Sequence, residues 1–163
     1  MQRRTLLRLT LAAGASLALG GCGFRLRGLD TADLPFASLA VDGAGDDVSR
    51  LAVERLQAAG VSVDGTAPQV LNLGPETFNE QRLSVLDSGR QEYDMTLGVP
   101  FSVQRREDGA YRLDQQRIEV QERFTLSSDN LLSGDERRTE VRRRLRREVV
   151  DQLLDRLRTL DGQ

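Results

Sequence analysis

The residue with the clearest chemistry is Cys22, the only cysteine in the chain, in the run Leu19-Gly20-Gly21-Cys22. Small residues before a lone Cys match the bacterial lipobox, in which the thiol is acylated and the chain is then cleaved in front of it. The segment ahead of it fits that reading. Met1 to Arg8 is a basic n-region with Arg3, Arg4 and Arg8, and Leu9 to Leu19 is an apolar h-region too short to span a bilayer core. We therefore read 1–21 as a lipoprotein signal peptide. Arg3-Arg4 also resembles a twin-arginine export signal, and the general secretory route stays equally open. Gly23 follows the cysteine in place of the Asp that retains lipoproteins at the inner membrane, so a lipid-anchored place on the outer membrane is the expectation. Diacylglycerol and acyl groups on Cys22 would be its only non-protein component, since one chain holds weakly and two or more hold stably.

Other chemistry is thinly supplied. There is no His, so His-based triads and Cys/His dyads cannot be built and most zinc sites are excluded. Carboxylate-pair hydrolysis would need two acids converging in a pocket, and the 25 acids are evenly mixed with arginine, with no pair standing out. We expect no enzyme, no cofactor and no metal. All 23 basic residues are Arg, and without Arg3, Arg4 and Arg8 there remain 20 against 25 acids, a net charge of −5. That sign argues against nucleic acid as a partner.

The elements that would position any site follow from periodicity. The expected plan is a tether over 22–35 and a single domain over 36–163. A first strand over Ala37–Val41 leads through Gly43-Ala-Gly45 to Asp46 and Asp47, capping residues for a helix over 47–59 whose apolar positions are Val48, Leu51, Ala52, Leu56 and Ala59. Gly60 sits where a left-handed cap belongs. Val61 to Val63, Val70 to Leu73 and Phe78 to Leu86 are strand-like. Tyr93, Met95, Leu97, Val99, Phe101 and Val103 alternate strictly, which predicts a half-buried strand. Thr96 and Ser102 fall on its other face, where a charge should be tolerated, and Pro100 on that face suggests an edge or a bulge.

Glu107-Asp108-Gly109 predicts a turn and an antiparallel return, with a bulge between Asp114 and Arg117 restoring the register from Tyr111 and Leu113 to Ile118, Val120, Phe124 and Leu126. A last helix over 134–160 carries Val141, Leu145, Val149, Leu153 and Leu157 in one i+4 row. The neighbouring row starts with Arg142 and Arg146 and continues with Val150 and Leu154, so the C-terminal half should be the more deeply buried. Asp135, Glu136 and Glu140 suit its positive end, and Glu140/Arg144 and Arg147/Asp151 are i,i+4 pairs. The expected architecture is α+β, a two-layer sandwich with about four strands in a mixed sheet and two helices on one face.

Arg142-Arg-Arg-Leu-Arg-Arg147 is the one basic cluster. It reads either as a solvated helix face or as a surface, carried by Arg142, Arg143 and Arg146, that meets anionic phosphates or an acidic partner.

Cys22-Gly23-Phe24-Arg25-Leu26-Arg27-Gly28 is similar to the Cys-Gly-Phe-His-Leu-Arg-Gly opening of the lipopolysaccharide-assembly lipoprotein (LptE) family, with Arg25 where His is frequent. Ser88 to Met95 resembles the family's segment leading into its long hairpin. The resemblance implies an outer-membrane lipoprotein that sits as a plug inside the β-barrel of the partner LptD, supports its assembly and binds lipopolysaccharide. For that ligand the basic candidates are Arg82 and Arg90, offset from the family's pattern, while Gly134 stands where a basic residue is expected. A reading from another class is a periplasm-facing accessory of a lipid transporter with no barrel partner.

Overall fold

The computed structural model describes residues 34–83, 89–127 and 131–162. The lipobox, Cys22 and the family-like opening lie outside them, as does the end of the strand expected over Phe78–Leu86. Among the described residues the order is β1 (Ser38–Gly43), α1 (Asp47–Ala58), β2 (Ser62–Val63), β3 (Gln69–Leu73), β4 (Thr77–Arg82), β5 (Arg90–Arg105), β6 (Tyr111–Ser127) and α2 (Leu131–Arg158), with a closing 3₁₀ turn over Thr159–Gly162.

Local chemistry sets α1 as expected. The Asp46 carboxylate accepts from the Ser49 N–H at 2.9 Å, a capping bond that satisfies one of the orphan donors of the first turn. At the other end Gly60 has φ 87°, the Gly60 N–H donates to Gln57 and the Val61 N–H to Leu56, each at 3.0 Å. This is a Schellman closure, and its apolar pair, Leu56 and Val61, is buried.

Six strands among the described residues form one mixed sheet, two more than expected. β1 runs parallel to β2 and to β3. β5 is its spine: β3 and β4 pair antiparallel along one edge of it, over Phe101–Arg105 and Tyr93–Gly98, and β6 pairs along the other. Pro100 is thus not on an edge strand. Its carbonyl accepts from the Gly74 N–H at 2.8 Å, so the position that lacks a donor faces the gap where β3 ends and β4 has not begun. An inner proline is tolerated there because no ladder bond is lost. The bulge falls where the register reading placed it, between Leu113 and Gln116, and a second irregularity follows between Tyr111 and Leu113.

The odd residues of β5 face the helices. Met95, Leu97, Val99, Phe101 and Val103 are buried, in one cluster with Val48, Ala52 and Leu56 of α1 and with the full row Val141, Leu145, Val149, Leu153 and Leu157 of α2. Each such side chain larger than alanine contributes roughly 1.5–3 kcal/mol when fully buried. Val150 and Leu154 are buried too, so the deeper burial of the C-terminal half is as expected. Leu34 and Phe36 also belong to this core.

Three expectations need correction. Helix α2 begins at Leu131 rather than 134, which moves Asp135 and Glu136 out of its first turn. Ser102 is buried and accepts from Asn72 at 3.3 Å, because β3 and β6 flank it on the otherwise open face. Arg144 pairs with Glu140 at 3.1 Å as expected, whereas Arg147 and Asp151 are both exposed and no ion pair joins the two.

Candidate functional site

The basic residues singled out from the sequence fall into two groups. Arg82 closes β4 and Arg90 opens β5, on either side of the connection between these strands, where the Leu83 N–H donates to the Glu92 carbonyl at 2.8 Å. Both are exposed. Strand pairing sets their sides. Arg82 stands opposite Tyr93 and so belongs to the helix-facing side, while Arg90, three positions before Tyr93 and opposite Ser127, belongs to the open side. The two guanidinium groups thus flank the mouth of the β4–β5 connection from opposite faces of the sheet. β6 ends at this end of the sheet, and Gly134, in the first turn of α2, is buried. A Cβ there would meet the Arg138 guanidinium at ordinary contact distance.

In the α2 cluster Arg142, Arg143 and Arg147 are exposed, and some of its arginines also make contacts within the fold. The row Arg138, Arg142, Arg146 lies over the helix-facing side of β4. The Arg138 guanidinium is 5.7 Å from the Tyr93 ring centre and donates to both oxygens of Glu80 at 3.1 and 3.2 Å. Arg142 and Arg146 both sit over Phe78, at 5.6 and 5.3 Å. Arg146 also grips Glu76 with two bonds, 2.9 and 2.6 Å, and Asp47 at 2.9 Å. A guanidinium can stack on a ring with its face and bond carboxylates with its edge at the same time, and Arg146 does both.

This arrangement ties three segments together. Asp46, which caps α1, also accepts from the Glu76 N–H at 2.8 Å, so the α1 start, the β3–β4 link and α2 meet around Arg146. Burial alone would raise the Asp46 carboxyl. The N–H groups of Ser49 and Glu76, the Ser49 hydroxyl and the nearby Arg146 outweigh it and hold the group below its ordinary 3.8. Hydrogen bonding to Glu76 first, then the charges of Glu76, Asp47 and Asp46, raises Arg146 despite its partial burial.

Of the three arginines assigned to a partner surface, Arg146 is half-buried and bonded within the fold, while Arg142, which sits over Phe78, and Arg143 are both exposed. The i+4 row was visible in the sequence. Arg142 and Arg146 share it with the buried Val150 and Leu154, a placement that turns them toward the sheet.

The open face is polar where β5 meets β6. Asp94 accepts from Gln121 at 2.9 Å and from Arg123 at 3.1 Å, Asn72 donates to Gln104 at 3.2 Å, and Arg117 lies over Gly98, where any Cβ would collide with its guanidinium. No helix among the described residues is long and apolar enough to cross a membrane.

Comparison with solved structures gives the same fold. The rare lipoprotein B from Shewanella oneidensis is 19% identical, with a TM-score of 0.66, covering 77% of this chain and 96% of that one. The lipoprotein B from Nitrosomonas europaea is 18% identical with a TM-score of 0.67, covering 86% and 93%. A minor lipoprotein from Acinetobacter baumannii is 18% identical with a TM-score of 0.63, covering 77% and 93%. No curated protein matches. Residues 29–157 match the family described as LptE: Lipopolysaccharide-assembly, a span that takes in the sheet and nearly all of α2, and on that match the chain belongs to the LptE lipopolysaccharide-assembly family.

Proposed function

We propose that this protein is an outer-membrane lipoprotein, anchored through acyl groups on Cys22, that seats as a plug in the LptD β-barrel and assists both barrel assembly and delivery of lipopolysaccharide to the cell surface. The observation that carries this reading is the family match over residues 29–157. The open sheet face supports it. A domain inside a water-filled lumen has to present polar groups on its uncovered side, and the face bearing Asp94, Gln104, Arg117, Gln121 and Arg123 does so.

Lipopolysaccharide is anionic and the mature chain carries a net negative charge, so recognition falls to local arginines. Arg82 and Arg90 are the candidates, each able to meet phosphate with the planar guanidinium fork. Arg142, Arg143 and Arg146 are the candidates for the partner surface, with Arg142 and Arg143 exposed on α2.

Affinity purification of the full chain from detergent-solubilised outer membranes tests the reading. A large β-barrel protein should stay bound through washing. Recovery of inner-membrane transporter components with no barrel would overturn it in favour of the accessory role.

A further inference from the structure

β6 lies at the rim of the sheet. It pairs with β5 along one edge, and among the described residues no strand pairs along the other. Over residues 116–127 its register with β5 runs without a break, so the outer edge presents an unbroken series of backbone N–H and C=O groups on alternate residues. Sheet edges are commonly blunted by a proline, a lysine or a bulge, and none of these occurs in that stretch. We propose that this edge takes up an extended segment of another protein, bearing Arg or Lys on alternate residues, as an added strand in the groove between β6 and α2. The inference rests on this edge of the sheet and stands whether or not the chain seats in a barrel.

The backbone dictates that the occupant is a strand. Another extended chain is what can bond such a series in register, and its side chains then alternate between the two faces. α2 supplies a wall for one of those faces. The groove has a volume of about 600 Å³ and runs between residues 119–122 of β6 and a side of α2 that includes Arg144, Glu148 and Asp151, with the buried Val120 and Leu145 also lining it.

Charge decides the kind of strand. Four carboxylates line the groove, those of Glu119, Glu122, Glu148 and Asp151, against the guanidinium groups of Arg144 and Arg147. The ion-pair partners outside it cancel one another: Arg117 bonds Glu119 at 2.8 Å, and Glu140 bonds Arg144 at 3.1 Å. Arg144 is also committed to Glu122, at 3.0 Å. Beyond the end of the groove Asp155 pairs with Arg158, and Arg156 donates to Gln116. Glu148 and Asp151 are exposed, and the donor to Glu148, at 3.0 Å, is the neutral Gln152. These are the groups a visiting cation would meet. Alternate residues of a strand are about 6.7 Å apart, near the helical pitch of about 5.4 Å, so basic residues at every second position fall along the α2 wall. A second copy of β6 would bring the same excess of carboxylates, which disfavours self-pairing.

NMR titration of the full chain with a blocked peptide of alternating Arg and Thr tests this. The peptide should shift the amides of residues 119–123 together with those of Glu148 and Asp151, and slow hydrogen exchange along the outer edge of β6. A fully N-methylated version keeps every charge but has no backbone donors, and should bind at least about ten-fold more weakly. A version with Glu in place of Arg should not bind. In the protein, Glu148→Gln with Asp151→Asn should weaken binding about five-fold at an unchanged melting temperature, and Arg142→Gln, on the side of α2 over β4, should leave it unaffected. Equal binding of the N-methylated peptide would overturn strand addition in favour of a contact made by charge alone. Equal binding of the Glu peptide would overturn the selection for a basic strand, and shifts along β2 or β4 would place docking elsewhere. Shifts of the β6 edge amides with protein concentration, no peptide being present, would overturn the proposal in favour of a second copy.

Discussion

Arg146 holds together segments that are far apart in the chain, and its replacement should show this. Its side chain is 20% exposed and bonds Glu76, itself 17% exposed. Arg146→Ala leaves that carboxylate without its partner and should lower stability by about 1.5–3 kcal/mol, whereas Arg143→Ala, at an exposed site, should stay within about 0.5 kcal/mol. Urea unfolding of the two variants decides it; equal losses would mean that the Glu76 and Asp47 contacts add nothing. Asp46 gives the pH dependence. Because folding lowers its pKa below 3.8, its contribution is complete above that value and is lost as the pH falls through the folded value. Asp46→Ala should be less stable by about 1–2 kcal/mol at neutral pH, and the gap to the unaltered protein should narrow below about pH 4. At Cys22 the expectation concerns location. Cys22→Ala should yield an unacylated protein found in the soluble fraction, and membrane retention of that variant in cells lacking a barrel partner would refute the lipid anchor.

At the scale of the element, β5 carries the organisation of the sheet. Its apolar alternation was legible because a strand with one buried face has a period of two, and Leu97 and Val99, 0% and 1% exposed, are where that pattern placed them. Leu97→Asp should cost several kcal/mol, since the carboxylate has no partner in the core. Thr96→Asp, half-buried opposite Gln121 on the open face, should have a much smaller effect on the melting temperature. Ser102→Asp belongs with the harmful changes, because packing between neighbouring strands buries it although its parity is polar. Equal melting temperatures for Leu97→Asp and Thr96→Asp would show that the faces of β5 are assigned wrongly. The α2 arginines teach the complementary point. Their i+4 spacing could be read, but that they cover Phe78 depends on β4 lying beneath them, and that pairing is made across the chain.

For the whole molecule the question is where lipopolysaccharide is held. Arg82 and Arg90 flank the β4–β5 connection from opposite faces, so a bound phosphate group would be gripped from two sides or by one arginine alone. Arg82→Glu combined with Arg90→Glu should weaken lipopolysaccharide binding ten-fold or more, from roughly 1.5–3 kcal/mol per charge-assisted contact, with an unchanged melting temperature. The single variants distinguish the two cases: comparable losses mean a shared grip, and a loss confined to one means a single contact. Wild-type affinity in the double variant would place the site elsewhere. Arg143→Glu should leave lipid binding intact while weakening co-purification of the barrel.

The sequence by itself determined the α+β class, the ends of α1, the buried face of β5, the turn and bulge after it, and the core row of α2. These are set by neighbours within a few residues, through capping bonds, backbone sterics and the periods of helix and strand. The family-like opening was legible for the same reason, being one short run of residues. Only the tertiary structure decided that β3 and β4 share one edge of β5, that an inner proline is accommodated in the gap between them, that Ser102 is buried, and that Arg146 reaches Glu76. Each of these depends on contacts between residues from 11 to 70 positions apart, and a local pattern carries no information about which distant group will lie across from it.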